Sequence, residues 1–206
     1  IVGFPRSGTT LLDQILDSHP QIQVMEEKRA FAVVERAIRA MPGGYPGAIA
    51  SLSQDDISEL RRLYFQAVEQ FISRDASLHL VDKFPLNIEY VPLIHRLFPD
   101  AHFILACRHP CDVAMSNFMQ YYKLNDAMSN FFTLDDTVHL YQQVMDLWLK
   151  CERLLPLNTQ RVEYESLVVD LEPQARSVFD FLGVAWNDSV LDFHQHALRK
   201  GIINTP

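Results

Sequence analysis

The segment Gly3-Phe4-Pro5-Arg6-Ser7-Gly8-Thr9-Thr10 lies between the apolar pair Ile1-Val2 and the apolar positions Leu11, Leu12, Ile15 and Leu16. That order predicts a strand, a glycine-bearing turn and a helix start, the context of a phosphate-binding loop. Backbone N–H groups of such a turn, with the positive end of the following helix dipole, form a concave donor surface for phosphate oxygens. The two glycines give the frame of a Walker A motif, but Thr9 stands where that motif has lysine. In nucleoside triphosphatases the lysine reaches the outer phosphates and the next hydroxyl holds magnesium. Here Arg6 supplies the charge from the other side of the loop, and Asp82 is the nearest candidate for a magnesium partner. The expectation is a nucleotide whose transferred group is handled by arginine and lysine, with no metal. An ordinary strand-to-helix turn is the plain alternative.

Beyond the loop, Ile22-Gln23-Val24, Leu78 to Val81, Phe103 to Cys107 and Gln160 to Glu163 are short strand candidates separated by long helical patterns. The alternation predicts an α/β fold of P-loop type: three layers, one parallel sheet flanked by helices on both faces. Ser53 with Asp56, and Thr133 with Asp136, have the spacing of helix N-terminal caps. They precede the apolar faces Ile57, Leu60, Tyr64, Ala67, Val68, Phe71 and Val138, Tyr141, Val144, Trp148, Cys151. Met41 to Gly47, rich in glycine and proline, reads as a mobile connection inside a single domain spanning 1–206.

At 206 residues, 48% hydrophobic and 21% charged, the chain can bury a full core. No apolar run reaches the roughly 20 residues that span a bilayer. Net charge is -8 with no basic run, which disfavours nucleic acid as a partner. Cys107, Cys111 and Cys151 have no zinc or redox spacing and fit reduced thiols, so a cytoplasmic location is expected. His194 and His196, two apart, suit no shared metal and are expected on the surface.

Pro5-Arg6-Ser7-Gly8-Thr9-Thr10-Leu11-Leu12 resembles the 5′-phosphosulfate loop of sulfotransferases that use 3′-phosphoadenylyl sulfate. Arg108-His109-Pro110-x-Asp112-x-x-x-Ser116 is similar to the family's 3′-phosphate segment, and arginine's planar donors suit that task. Ser18-His19-Pro20 followed by Glu26-Glu27, and Val81-Asp82-Lys83-Phe84-Pro85, resemble the tyrosylprotein-sulfotransferase-like branch, which includes bacterial proteins with tetratricopeptide repeats. Tyr164-Glu165-x-Leu167-Val168, Phe181-Leu182-Gly183-Val184 and Trp186 close the pattern. Differences exist. The animal enzymes have cysteines where Met25 and Asp82 stand, and a basic residue near Gln120. The family's C-terminal segment over the nucleotide lies beyond Pro206, and Ile1 falls inside the first strand, so the expectation is a domain trimmed at both ends.

The resemblance implies in-line sulfuryl transfer to a hydroxyl of a peptide tyrosine, a sugar or a small molecule, leaving adenosine 3′,5′-bisphosphate. It gives Glu27 the role of general base, with Glu26 as rival, and places Lys83 at the bridging oxygen. Arg6 serves both chemistry and binding, while Ser7, Gly8, Thr9, Thr10, Arg108, Ser116 and Tyr164 hold the nucleotide. Each has a plain competitor: Glu26 and Glu27 as dipole partners of the helix through Ala30 and Ala37, Lys83 as a turn lysine, Tyr164 as a core cap. Arg199-Lys200-Gly201 reads as a solvated tail. Tyr121, Tyr122, Phe131 and Phe132 line an acceptor cleft or pack in the core. A metal-dependent kinase or triphosphatase and an inactive nucleotide-binding module stay open as alternatives.

Overall fold

The computed structural model describes residues 1–123, 125 and 127–200. Its elements in chain order are β1 (Val2–Gly3), α1 (Thr9–Asp17), β2 (Ile22–Glu26), α2 (Ala32–Ala40), α3 (Gly44–Gly47), α4 (Gln54–Phe71) and β3 (His79–Lys83). There follow α5 (Val91–Leu97), β4 (His102–Cys107), α6 (Pro110–Phe118), α7 (Leu134–Leu154), β5 (Asn158–Glu163), α8 (Tyr164–Val169), α9 (Leu171–Leu182) and α10 (Phe193–Lys200). All strand candidates form, each longer at one or both ends than the apolar run alone, because ladder pairing also recruits polar end residues such as Glu26 and Lys83.

Every pairing is parallel. The strands pair as β1-β4-β5 and β2-β3 within the parallel, helix-flanked α/β arrangement that was expected. β1 pairs two residues with β4, and the Ile1 nitrogen just before it donates to the Asp82 carbonyl of β3 at 2.8 Å, so β1 lies between the two ladders. A cavity of about 690 Å³ lies between the earlier residues of β3 and β4, with Leu80 and Phe103 in its lining.

Side chains of a strand alternate between faces, and here both faces are covered. Ile104, Ala106 and Val162 pack with Leu12, Ile15 and Leu16 of α1 and Phe179 of α9. Phe103 and Leu105, one register position off, pack with Val144 and Trp148 of α7. A third cluster joins α2, α4 and α5 through Val34, Ile38, Leu60 and Leu93. The apolar stripe on α4 is buried as its spacing predicts up to Val68, whereas Phe71 at the helix end is exposed. On α7 the stripe is buried at Val144, Trp148 and Cys151, and Val138 near its start is exposed.

The Met41–Gly47 connection is tied down: Tyr45 donates its hydroxyl to the Glu89 carbonyl at 2.5 Å and its ring meets Tyr90. His196 also departs from expectation, pairing with Asp17 of α1 at 3.0 Å and so docking α10. The Arg199-Lys200-Gly201 side chains and tail lie outside the described residues.

Both caps form. Ser53 Oγ accepts from the Asp56 N–H at 3.1 Å while Asp56 accepts from the Ser53 N–H at 2.9 Å, a reciprocal capping box on α4. Ser53→Ala is expected to lower folding stability by about 1 kcal/mol, read as a shifted urea midpoint with an unchanged slope.

Candidate active site

Parallel strands deliver their carboxyl ends to one side of a sheet, where ligands of α/β proteins bind. In this chain all five ends lead into candidate residues. β1 opens into the loop before α1, β2 is followed by Glu27, β3 ends in Lys83, β4 runs into Arg108, and β5 runs into Tyr164.

The loop turns tightly, the Ser7 N–H donating to the Phe4 carbonyl at 3.2 Å. Gly8 takes φ 94° and caps α1 without a side chain, so the first-turn amides of α1, lacking intrahelical acceptors, remain for another partner. Ser7 Oγ is buried and has no hydrogen-bond partner among the described residues. A Cβ on Gly8 would stand 2.6 Å from the Tyr164 ring, and one on Gly3 2.8 Å from the Ala106 carbonyl. Tyr164 thus closes on the loop backbone, and the Arg108 guanidinium lies over its ring at 4.9 Å. Arg108 Nε is buried without a hydrogen-bond partner among the described residues, though its terminal nitrogen is 3.6 Å from Asp112.

Arg108 and Ser116 were expected together. Ser116 accepts from Arg6 Nε at 3.1 Å, so the serine expected at the far end also contacts the near-end arginine. Sequence reasoning missed Asn117, which is fully buried and donates to the Pro5 carbonyl at 2.9 Å and to the Val113 carbonyl at 2.8 Å. Tyr122 donates to the Asn117 amide oxygen at 2.6 Å, stiffening the loop from behind. Phe131 is buried in the core with Tyr122 packed against its cluster, while Tyr121 and Phe132 are exposed and line neither the cavity at Leu80 nor the one at Phe84.

Lys83 is fully buried, with its ammonium 2.7 Å from Glu27, 2.9 Å from Asp13 and 3.6 Å from Glu26. Burial disfavours its charge, but Asp13 and Glu27 outweigh that and hold its pKa above the usual lysine value. Burial pushes the Asp13 carboxyl up to about 7 against the opposing pull of Lys83. Asp82, one residue earlier, points to the other face of β3 and accepts from Tyr64 at 2.9 Å, away from the loop. It is therefore no magnesium partner for the loop. Glu26 and Glu27 lie before α2 begins at Ala32, and the acidic residue of that first turn is Glu35, so the helix-dipole alternative fails. Asp13 was overlooked; its one sequence signal is a carboxylate between the core positions Leu12 and Ile15. His19, by contrast, is satisfied at both ring nitrogens, by the Gln21 N–H and the Ala185 carbonyl, and stacks near Phe179, a structural role.

Two non-glycine residues have positive φ among the described residues, Arg6 at 70° and Glu27 at 46°. Such backbone is held only where surroundings over-determine it, commonly at functional sites.

The model of the sulfotransferase family matches residues 1–188. The chain belongs to the sulfotransferase family. An uncharacterized protein of Aquifex aeolicus is 30% identical over 95% of the chain and 26% of its own length. Protein-tyrosine sulfotransferase 2 of Gallus gallus is 26% identical over 97% of the chain and 54% of its own length. The chain thus spans between about a quarter and about half of these relatives. Among solved structures, the sulfotransferase domain of the Synechococcus PCC 7002 olefin synthase superposes with a TM-score of 0.62 at 22% identity, covering 93% of this chain and 76% of that one. A sulfotransferase from Mycobacterium avium gives 0.61 at 14% identity, covering 98% and 68%. These neighbours share the α/β sulfotransferase fold.

The crowding at Gly8 is testable. Gly8→Ala is expected to cost about 1–3 kcal/mol, for positive φ and for contact with Tyr164. Gly47→Ala, with open space and helical backbone, is expected to leave stability unchanged or raise it by up to about 1 kcal/mol. Equal urea midpoints for the two variants would refute the assignment.

Proposed function

We propose that this sulfotransferase moves a sulfuryl group from 3′-phosphoadenylyl sulfate to a hydroxyl acceptor, with Glu27 as general base. The observation that carries the proposal is the buried Lys83 ammonium held against Glu27 at the strand ends. The donor fits the residues present: a helix start with unused amides, the unpartnered Ser7 hydroxyl and the unpartnered Arg108 Nε are donors suited to anionic oxygens. Arg6, Ser7, Gly8, Thr9 and Thr10 would hold the 5′ end, and Arg108, Ser116 and Tyr164 the other. When bound, the donor supplies the sulfuryl group and departs as adenosine 3′,5′-bisphosphate.

In this scheme Glu27 accepts the acceptor's hydroxyl proton as the oxygen attacks. Lys83 and Arg6 neutralise charge growing on the leaving oxygen, and the first-turn amides of α1 add fixed dipoles. Positioning and charge stabilisation carry most of such a transfer, as in phosphoryl chemistry. For the acceptor, a cavity of about 530 Å³ adjoins Glu27 and Lys83 in sequence through Arg29 and Phe84. Its mouth carries both charges, Arg29 and Arg39 with Glu35 and Glu89. A tyrosine side chain, a sugar or a small phenol suits a cavity of that size and mixed polarity.

Transfer of labelled sulfate from the donor to a panel of hydroxyl acceptors tests the proposal. Glu27→Ala is expected to lower the rate by about 10²–10⁴-fold while calorimetric binding of adenosine 3′,5′-bisphosphate stays within twofold. Arg108→Ala is expected to weaken that bisphosphate at least tenfold and ATP far less. Retained transfer in Glu27→Ala removes the base, and magnesium-dependent ATP binding of equal strength favours a kinase or triphosphatase.

A further inference from the structure

Lys83 is hydrogen-bonded to the carboxylate that the proposed chemistry needs as a base. The carboxylate oxygen bound to the ammonium at 2.7 Å is engaged and is not open to an incoming hydroxyl. For Glu27 to take a proton, that bond has to loosen, and a fully buried ammonium then requires another anionic anchor. Such an anchor is present on a different element. Asp13, in the second turn of α1, is 1% exposed and puts Oδ2 2.9 Å from Lys83 Nζ, while its Oδ1 accepts from the buried Gln14 amide at 3.1 Å.

We propose that Asp13 is a positioning residue for sulfuryl transfer: it holds Lys83 protonated and in place at the end of β3 while Glu27 disengages to meet the acceptor hydroxyl. This rests on the proposed roles of Glu27 and Lys83. Geometry gives the two carboxylates different freedoms. Asp13 sits on a rigid helix with both oxygens engaged and no exposure, whereas Glu27 follows the last strand residue on left-handed backbone and is partly exposed. The division of labour is therefore fixed by the fold: the enclosed carboxylate anchors and the open one reacts. Glu26, from the end of β2, stands at 3.6 Å, too far for a hydrogen bond, and adds charge only. On the remaining side the Ile1 nitrogen and Asp82 belong to the adjoining strands and pair near one another. Lys83 thus faces Asp13 from α1, Glu26 from β2 and Glu27 just after it, with no second cation bonded to the group among the described residues.

The chain holds five lysines, few enough for ¹³Cε-lysine NMR to follow Lys83 directly, without any activity. In the wild type Lys83 is expected to titrate above the other lysines. In Asp13→Asn, which keeps size and removes charge, it titrates at least one pH unit lower, and Asp13→Glu restores most of the shift. In transfer assays Asp13→Asn loses at least tenfold in kcat, its rate declines at lower pH than the wild type's, and binding of adenosine 3′,5′-bisphosphate stays within twofold. An unmoved Lys83 titration, or an unchanged kcat and pH profile, overturns the assignment. If wild type transfers no sulfuryl group, the functional proposal fails and the NMR titration alone decides the Asp13–Lys83 coupling. If Asp13→Asn does not fold, the double variant Asp13→Asn/Lys83→Met, lacking both charges, decides: recovery of the fold supports charge coupling, and failure to recover overturns it.

Discussion

One ammonium ties the active face together. Lys83 is the last residue of β3, yet its partners come from α1 and from the end of β2, so three elements meet at a single buried charge. Taking an ammonium out of water costs several kcal/mol, and removing one partner of a buried pair costs about 3–5 kcal/mol. Nothing smaller than a matched set of carboxylates keeps it there. Because Asp13 also lies in the second turn of the helix that follows the Gly3–Thr10 loop, the position of Lys83 and the placing of that loop are mechanically linked. A shift of α1 along β1 would separate the ammonium from its anchor and the loop from Tyr164 at once.

The sheet supplies the frame for this arrangement. Its strands are parallel, and their side chains are covered on both faces by α1 and α9 on one side and α7 on the other. All five carboxyl ends therefore open in one direction, and residues distant in the chain, Arg6, Glu27, Lys83, Arg108 and Tyr164, follow from the same topological cause. Direct contacts then subdivide them. Lys83 binds the acidic group, Tyr164 bridges Gly8 and Arg108, and Ser116 joins Arg6.

How much of this the sequence disclosed depended on the range of the interaction. The strand-loop-helix unit, the helix caps at Ser53 and Thr133, and the buried stripes of α4 and α7 are local, set by spacing of three or four residues, and they form as expected. The strand-end residues Glu27, Lys83 and Arg108 were legible because motifs of recognisable type surround them. Asp13 and Asn117 were not. Asp13 acquires meaning only through an ammonium 70 positions later in the chain, and Asn117 through a carbonyl more than a hundred positions earlier. No periodicity encodes either meeting.

Backbone strain adds a last step. Arg6 and Glu27 adopt left-handed conformations that glycine would accept without penalty, and each costs on the order of 1 kcal/mol or more to hold. Glycine at those places would relieve the strain and delete the guanidinium or the carboxylate. The fold retains the side chain and bears the strain, fastening Arg6 through Ser116 and the loop through Asn117, and Glu27 through its N–H to the Lys83 carbonyl at 2.8 Å. In the proposed transfer, that same backbone bond would keep the residue registered to β3 while the side chain leaves Lys83. Left-handed backbone at the partly exposed Glu27 and full burial at Asp13 are then complementary: in the proposed transfer the first would release its hold on the ammonium and the second would keep it in place.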